Sequence, residues 1–274
     1  MERKIGYLGP EGTFSWKAAQ AVIETEKRSI IPFFSFWEGM QFLVERKADE
    51  ILLPIENSSG GGIEEVISLL RRMPEDLRIE KEIKLSIEQY LLVLNGSEIS
   101  DVEKVFSMGK IFGQCREFLN KRKIICQAVE STIKAAELVV KENNKRTAVI
   151  GAEWLSEFFP ELEVVAKIND NSSNTTRFIL IGRENTERTG NDKTSIILSV
   201  YNKVGALVEV LEVLRNFGIN MTMIVSIPTG KQLGDYDFLI DIEGHILDKN
   251  IKEALTAIKE KTTSLKILGS YSVL

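Results

Sequence analysis

The sequence predicts an α/β protein with a larger N-terminal domain and a smaller C-terminal domain. Short apolar runs alternate with amphipathic stretches up to about residue 182, which is typical of successive strands and helices. The polar stretch 184–193 lacks apolar periodicity and indicates a linker. The chain has 274 residues, 43% of them hydrophobic, so it can bury the cores of two or three folded units.

The N-terminal domain, residues 1–183, is predicted to form two lobes. Apolar runs predict strands near 4–8, 29–34, 50–55, 103–107, 123–127, 146–150, 163–168 and 176–182. Helical spacing of apolar residues predicts helices at 13–25, 36–47, 62–72, 111–121, 131–143 and 152–159. The alternating segment 76–94 suits extended strands that carry the chain into the second lobe. We expect lobe one at about 1–80 plus 165–183, lobe two at about 81–164, and a ligand-binding cleft between them.

The C-terminal segment, residues 194–274, predicts a small separate domain. Its order of elements is strand, helix, strand, strand, helix, strand, read from TSIILSVY, VGALVEVLEVLRNFG, INMTMIVSIP, DYDFLIDIEG, NIKEALTAIKEK and SLKILGSY. This order is that of a ferredoxin-like βαββαβ unit. Its length of about 80 residues is a normal size for such a domain.

The charge and hydropathy patterns exclude several classes of partner. The net charge of -5 comes from 40 acidic and 35 basic residues that are scattered, without the basic run that nucleic-acid binding requires. No stretch reaches the roughly 18 apolar residues of a membrane span. The start, MERKIGYLGP, leads into a strand rather than into a signal-peptide core, so we expect a cytoplasmic protein without membrane or nucleic-acid partners.

Cysteine and histidine usage restricts the chemistry. Cys115 and Cys126 cannot build a disulfide framework or a four-thiolate metal site, and a reducing compartment explains them as ordinary interior residues. His245 is the only histidine, which removes the usual base of Ser-His and Cys-His nucleophiles and most zinc sites. The predicted chemistry therefore depends on hydroxyls, carboxylates, amides and fixed charge.

Two segments have the same build, a strand that ends in a polar turn before a helix. In LGPEGTFSWKAA (8–19), Thr13 can cap a helix whose free N–H groups favour a bound anion. In ILLPIENSSGGGIEEVISLL (51–70), the strand ends at Glu56 and Asn57 and is followed by Ser58, Ser59 and three glycines. Taken alone, the first segment is equally consistent with a tight turn before a capped helix, and the second resembles a flexible Ser/Gly loop.

A third segment, NDNSSNTTRFILIG (169–182), places amides and hydroxyls before a strongly apolar strand. Arg177 can pair with a carboxylate through two N–H donors, and the hydroxyls of Thr175 and Thr176 can deliver or relay a proton. The competing interpretation is an ordinary polar turn with a surface arginine.

Together and in this order, the three segments resemble the prephenate dehydratase family. That family opens with a GPxGT[FY]S turn, carries PIENS before a glycine-containing loop, and ends its catalytic domain with TRF. These motifs stand here as Gly9–Ser15, Pro54–Ser58 and Thr176–Phe178. Further matches at Gln114-Cys115, Phe118-Leu119 and STIKAA (131–136) extend the resemblance, which covers the whole chain.

The resemblance implies a two-lobed, periplasmic-binding-protein-like catalytic domain that turns prephenate into phenylpyruvate. It implies that Thr176 is the leading catalytic residue and that no metal and no cofactor take part. We hypothesise that Thr176 donates a proton or hydrogen bond to the departing hydroxyl, and that Arg177 or nearby N–H groups bind a carboxylate. The expected substrate-binding residues are Thr13, Ser15, Glu56, Asn57, Ser58, Asn174 and Phe178.

The chain departs from the family pattern in two places of the N-terminal domain. Ser107 to Ile111 replaces the common SHPQA, so Lys110 could supply a point charge where the family has an amide donor and acceptor. Trp16 stands where histidine is frequent, which we expect to matter less.

The C-terminal domain resembles an ACT domain, which implies phenylalanine as an allosteric ligand and a homodimer or tetramer. The predicted regulatory residues are Asn202, Gly205, Ala206, Leu207, Ser226 and Pro228. Val204 replaces the proline of the PGAL loop, and Val225-Ser226-Ile227-Pro228 replaces ESRP, before a good match from Thr229 through Leu233-Gly234 to His245. The loss of the Glu and Arg of ESRP leaves feedback inhibition open.

Four alternatives remain open from the sequence. The chain could be a non-catalytic amino-acid or anion sensor, because two-lobed clefts and ACT domains both serve as binding modules. It could act on arogenate, which bears an amine where prephenate has a ketone. Its ACT domain could serve only to hold dimers together, since fold alone does not establish a ligand. An α/β protein of unrelated function is disfavoured by the joint order of the motifs.

Overall fold

The computed structural model describes residues 3–23, 28–171, 173–230, 232 and 234–273. Contacts within the chain divide it into two compact units. The first unit comprises Met1–Leu8, Ile23–Lys84 and Arg177–Leu274, and the second comprises Gly9–Val22 and Leu85–Thr176. The first unit therefore includes the whole C-terminal domain, whereas the opening turn and residues 165–176 belong to the second unit rather than to lobe one as predicted.

The N-terminal domain has the predicted alternation of strands and helices. Its strands are β1 (Arg3–Leu8), β2 (Arg28–Phe33), β3 (Glu50–Asn57), β4 (Gly61–Gly62), β5 (Arg78–Ser86), β6 (Tyr90–Leu94), β7 (Lys104–Ser107), β8 (Ile125–Ala128), β9 (Thr147–Gly151), β10 (Leu162–Lys167) and β11 (Thr175–Gly182). Its helices are α1 (Phe14–Ile23), α2 (Phe36–Val44), α3 (Glu64–Arg72), α4 (Gly109–Phe112), α5 (Arg116–Arg122), α6 (Thr132–Glu142) and α7 (Leu155–Phe158).

The C-terminal domain has the predicted βαββαβ order. Its elements are β12 (Asp192–Val200), α8 (Ala206–Asn216), β13 (Met221–Pro228), β14 (Tyr236–Glu243), α9 (Lys249–Lys261) and β15 (Thr262–Val273). Strand β12 begins inside the predicted linker, because Asp192 already pairs with Ser272 of β15. Leucine and isoleucine side chains from the two helices and the sheet form one apolar core.

Several predicted helices differ in extent. The helix expected at 111–121 is broken into α4 and α5, because the Gln114 carbonyl accepts a hydrogen bond from the Asp170 N–H and Asp170 in turn caps α5 at the Glu117 N–H. The helix expected at 152–159 is the single turn α7. Helix α1 ends at Ile23, and residues 24 and 25 of the predicted helix lie outside the described residues.

The described strands of the first unit form one ten-stranded sheet. Its order is β13-β14-β12-β15-β5-β11-β3-β1-β2, with β4 paired to β3. The sheet of the C-terminal domain thus continues into the sheet of the N-terminal domain through parallel pairing of β15 with β5. A Cβ atom on Gly269 would lie 2.3 Å from the Ile79 carbonyl oxygen, so only glycine allows this close approach. The two predicted domains therefore share a sheet within this unit.

The second unit has its own five-stranded sheet among the described residues, in the order β10-β6-β9-β7-β8. Strands β7, β8 and β9 are parallel to one another, whereas β6 runs antiparallel to β9 and β10. Apolar side chains pack on both faces of this sheet. No helix in the described part of the chain combines the length and the hydropathy needed to cross a membrane.

Candidate active site

The opening turn of the second unit is held by a capped helix and by a tryptophan. The Thr13 hydroxyl donates to the Pro10 carbonyl (2.9 Å) and accepts from the Trp16 N–H (3.2 Å), which is the predicted capping of α1. The indole of Trp154 donates to the Gly12 carbonyl at 2.8 Å and meets the Phe14 ring edge-on. Gly12 has φ +83°, and a Cβ there would lie 2.7 Å from Ile133. These hydrogen bonds and ring contacts hold the start of α1 in place, and Ser15 in its first turn is buried.

The Pro54–Ser58 segment of the first unit leads into a tight hairpin rather than into an open loop. Strand β4 folds back on β3, so that Glu56 pairs with Gly62 and Asn57 with Gly61. The Asn57 Oδ1 accepts from the N–H groups of Ser59 (2.9 Å) and Gly60 (3.1 Å). These two N–H groups were expected to face an anion, but the Asn57 side chain already binds them.

Buried amides surround the residues that precede Thr176 in the second unit. The Gln114 Oε1 accepts from Gln89 Nε2 (3.1 Å) and from Asn174 Nδ2 (3.2 Å). The Asn174 carbonyl accepts from the Ile87 N–H at 2.8 Å. Gln89 and Asn174 are each 1% exposed, and Thr176 is 9% exposed. A cluster of neutral hydrogen bonds therefore fixes the chain two residues before the predicted catalytic hydroxyl.

Arg177, the next residue, lies in the first unit among three carboxylates. Its Nη1 donates to Asp241 Oδ2 (2.6 Å) and to Glu82 Oε2 (3.0 Å), and its Nε lies 3.1 Å from Glu56 Oε2. Its Nη2 is 2.7 Å from the sulfur of Met223. The guanidinium is buried, and its charge is compensated inside the protein.

The carboxylates around Arg177 have further partners. Lys193 Nζ donates to both oxygens of Glu82, at 3.1 and 2.9 Å, and Ser195 Oγ donates to Asp241 Oδ1 at 2.5 Å. The Tyr271 hydroxyl is 2.6 Å from Ser195 Oγ. Burial would raise the pKa of Glu82, but Arg177 and Lys193 outweigh it and hold that pKa below its ordinary value. Burial and the Asp241 carboxylate raise the pKa of Tyr271, so this hydroxyl stays protonated.

Comparison with known proteins identifies the family. A family model described as prephenate dehydratase matches residues 5–186, and one described as ACT domain matches residues 194–260. The first range contains all three segments described above. This chain belongs to the prephenate dehydratase family. It is an α/β enzyme of that family, with a two-lobed, periplasmic-binding-protein-like catalytic domain and a C-terminal ferredoxin-like ACT domain.

Individual members of the prephenate dehydratase family match along most of the chain. A bifunctional chorismate mutase/prephenate dehydratase from Aquifex aeolicus is 35% identical over 98% of this chain and 73% of that relative. An arogenate dehydratase/prephenate dehydratase from Arabidopsis thaliana is 32% identical over 98% of this chain and 73% of that relative. The crystal structure of prephenate dehydratase from Arthrobacter aurescens in complex with L-Phe has a TM-score of 0.86 at 32% identity, covering 98% of this chain and 90% of that one.

Two residues of the family's TRF motif lie elsewhere than predicted. The Arg177 guanidinium was expected to bind a substrate carboxylate, but Glu82, Asp241 and Glu56 of the protein already surround it. Phe178 was expected to contact substrate, but its ring is 1% exposed and belongs to the interior. Successive side chains of a strand point to opposite faces of the sheet, so the three motif residues cannot all face one ligand.

Several residues of the site were missed in the sequence. Gln89 and Glu82 lie in the alternating segment 76–94 and Lys193 lies at the end of the predicted linker, and neither segment carries a motif. Asp241 did leave a signal, because it is a single acid inside the apolar run FLIDI, and a buried acid requires a partner. Its partner, Arg177, is 64 residues away in the sequence and could not be paired with it from the pattern.

The predicted regulatory residues of the ACT domain differ in exposure. Asn202 and Gly205 are exposed in the β12–α8 loop, where Gly205 has φ +81° and precedes α8, Ala206 is buried, and Leu207 is half-buried. Ser226 and Pro228 are on the exposed face of β13. Leu233, within the predicted match, lies outside the described residues.

The two residues that replace the Glu and Arg of ESRP face the interior. Ile227 belongs to the apolar cluster that includes Ile67 and Leu70 of α3, and Val225 packs against the same cluster. A Glu or Arg at these positions would place an uncompensated charge against apolar side chains in this structure. Apolar residues such as Val225 and Ile227 therefore suit these positions, which pack against the apolar cluster.

The residues of the N-terminal domain that depart from the family pattern have identifiable positions and contacts. Lys110 is exposed in the short helix α4, and Ser107 is buried with its hydroxyl donating to the Ile150 carbonyl at 2.6 Å. The amide near Asn174 comes instead from Gln114. Trp16 packs edge-on against Phe158, which gives it a place in the second unit's interior.

Proposed function

We propose that the chain converts prephenate into phenylpyruvate and that the Thr176 hydroxyl assists the departing hydroxyl group. The observation that carries the proposal is the family match over residues 5–186, which contains Thr176 in its TRF context. The near-complete burial of Thr176 supports this role, because a hydroxyl shielded from water is a more effective hydrogen-bond donor.

The reaction needs little from the protein besides geometry and one proton. The carbon–carbon bond to the ring carboxylate breaks and releases carbon dioxide. Its electron pair enters the ring, which becomes aromatic as the carbon–oxygen bond breaks. The departing hydroxyl takes up one proton and leaves as water. Thr176 supplies that proton or hydrogen bond and regains its hydrogen from solvent, so the step consumes one solvent proton overall.

The burial of Arg177 suits this chemistry. A cation paired with the leaving carboxylate would stabilise the ground state, in which that carboxylate carries a full charge, more than the transition state, in which the charge moves into the ring. Arg177 therefore has a positioning role in our proposal, and it holds Glu56 through Nε at 3.1 Å. The N-terminal end of α1 at Thr13 and Ser15, and Asn57 and Ser58 with their hairpin, remain the proposed binding groups for the substrate carboxylates.

The experiment replaces Thr176 by valine and by serine and follows phenylpyruvate formation from prephenate. Valine keeps the shape but has no hydroxyl, so kcat should fall by about 10²- to 10⁴-fold. Serine keeps the hydroxyl and should retain most of the turnover. Thr147→Val is the matched control, because Thr147 is also buried in the second unit and donates only to the Asn144 carbonyl.

Either of two outcomes would contradict this assignment. Near-normal turnover in Thr176→Val would remove the hydroxyl from the reaction. An equally large loss in Thr147→Val would indicate that the assay reports folding rather than chemistry. A folded wild-type protein without turnover would favour the sensor interpretation.

Arogenate is the second candidate substrate, because one relative is named arogenate dehydratase/prephenate dehydratase. Arogenate carries an ammonium group where prephenate has a ketone, so its binding would favour a nearby carboxylate. The half-exposed Glu56 is the available carboxylate in the Pro54–Ser58 segment. Measuring kcat/KM for both substrates in the wild type and in Glu56→Gln tests this, since kcat/KM for arogenate should then fall more than kcat/KM for prephenate.

We also propose that phenylalanine binds the ACT domain at Asn202–Leu207, Ser226 and Pro228. The L-Phe complex of a relative at 32% identity supports a phenylalanine ligand. The exposed face of Ser226 and Ile224 on β13, an edge strand of the sheet among the described residues, supports assembly into a homodimer or tetramer. We expect a cytoplasmic enzyme. Calorimetric titration with phenylalanine and sedimentation analysis test the ligand and the assembly separately.

A further inference from the structure

An ACT-domain carboxylate lies beside the catalytic motif. Asp241 is on β14, and its side chain is fully buried. Its Oδ2 accepts from Arg177 Nη1 at 2.6 Å, and its Oδ1 accepts from Ser195 Oγ at 2.5 Å. Because both oxygens are engaged, the Asp241 side chain has one orientation, and this orientation determines where the guanidinium lies.

The same guanidinium is connected to two segments of the proposed site. Arg177 follows Thr176 directly in the chain. Its Nε lies 3.1 Å from Glu56, the residue before Asn57. Its Nη1 is also bound by Glu82 of β5, at 3.0 Å. A displacement of the guanidinium would therefore be felt at the Thr176 peptide and at the start of the hairpin that carries Asn57 and Ser58.

We propose that Asp241 is a positioning residue for catalysis: it holds Arg177, and through Arg177 it fixes the Thr176 peptide and Glu56. The inference rests on the proposed function of Thr176. It assigns the ACT domain a direct part in assembling the catalytic residues, in addition to any ligand that the domain binds. A misplacement of about 1 Å is enough to lower turnover about a hundredfold.

The chain contains a matched contact that lacks this connection. Asp237 is also on β14, is also buried, and forms an ion pair with Arg71 of α3. Arg71 is neither adjacent to Thr176 nor paired with Glu56. Both aspartates link the ACT domain to an arginine of the catalytic domain, so a difference between their variants reports on position rather than on the loss of a buried charge.

The experiment compares Asp241→Asn and Asp237→Asn in the full chain, with prephenate kinetics and urea unfolding. Both variants should unfold at lower urea concentrations. Asp241→Asn should lower kcat about a hundredfold with a smaller change in KM, because the proton donor is misplaced while most binding groups remain. Asp237→Asn should keep kcat within about threefold, since its partner Arg71 is neither adjacent to Thr176 nor paired with Glu56.

A double variant distinguishes the misplacement of Thr176 and Glu56 from a loss of protein stability. Arg177→Met with Asp241→Leu removes one positive and one negative charge together, so Glu82 and Lys193 still balance, and unfolding should return toward the wild-type urea concentration. Turnover should stay low, because Thr176 and Glu56 have lost their common anchor. Wild-type kcat in either Asp241→Asn or this double variant would overturn the proposal. A wild type without prephenate turnover would instead contradict the proposed function.

Discussion

Two clusters of buried polar residues precede and follow the Thr176–Arg177 peptide, and they are built differently. Before it, in the second unit, Gln89, Gln114 and Asn174 share neutral amide hydrogen bonds. After it, in the first unit, Arg177 and Lys193 face Glu82 and Asp241. Along the chain, the TRF motif thus follows residues of a neutral cluster and contributes Arg177 to an ionic one.

The difference predicts how each cluster responds to damage. A neutral hydrogen bond contributes about 1 kcal/mol net, and Gln114 Oε1 keeps a second donor when one is lost, so the loss of one partner is tolerated. A buried ion pair contributes little net stability, but removal of one partner leaves an uncompensated charge and costs about 3–5 kcal/mol. We therefore infer that the amide cluster stabilises the chain locally. The ionic cluster holds together segments that are far apart in the sequence.

The largest predicted effect is on Glu82. Glu82→Gln leaves Arg177 and Lys193 with one carboxylate fewer, so the free energy of unfolding should fall by about 3–5 kcal/mol in a urea titration. The control is Glu103→Gln, whose partner Arg146 is 2.9 Å away on the surface, with both side chains more than half exposed. That change should cost less than about 1 kcal/mol. Equal losses in the two variants would contradict the distinction between buried and exposed pairs.

A second buried acidic group in the first unit should make stability depend on pH. Burial and a hydrogen bond that protonated Glu50 donates to Glu80 raise the pKa of Glu50 from 4.5 to about 7, despite the opposing charge of Arg28. Because this pKa is higher in the folded state, its stabilising contribution is complete below about pH 4.5 and is lost as the pH rises through about 7. The free energy of unfolding should therefore decline by up to about 3 kcal/mol between these values.

Unfolding of the wild type and of Glu50→Gln at several pH values tests this dependence. Glutamine does not titrate, so most of the decline should disappear. Glu45→Gln is the control, since Glu45 is exposed and its ion pair with Lys47 is a surface contact at 2.7 Å. A decline of the same size in Glu50→Gln would show that another group carries it.

The smallest predicted effect is in the neutral cluster. Gln89→Met removes the 3.1 Å hydrogen bond to Gln114 but keeps a side chain of similar length, so the free energy of unfolding should fall by about 1 kcal/mol. The loss should be the same at pH 5 and at pH 8, because no charge is involved. A loss as large as that of Glu82→Gln would remove the contrast between the two clusters.

The sequence predicted most of the elements because their signals are local. Alternating apolar residues predicted the strands of both domains, and the Thr13 cap predicted the start of α1. The break between α4 and α5 was not predicted, because it depends on Asp170, which is more than 50 residues away. The hairpin at Asn57 was missed for a similar reason, since it forms when β4 pairs with β3. A glycine-rich segment is compatible with either an open loop or a hairpin.

The sequence by itself determined the class of the protein, its three motifs and its βαββαβ domain, because periodicity, turn residues and motif order are properties of short segments. Only the tertiary structure decided the role of Arg177. A charge on a strand faces either a ligand or the interior, and the choice depends on partners such as Asp241 that lie far along the chain. Pairing of β15 with β5 brings those partners together, and it is specified by packing and by Gly269 rather than by any local pattern.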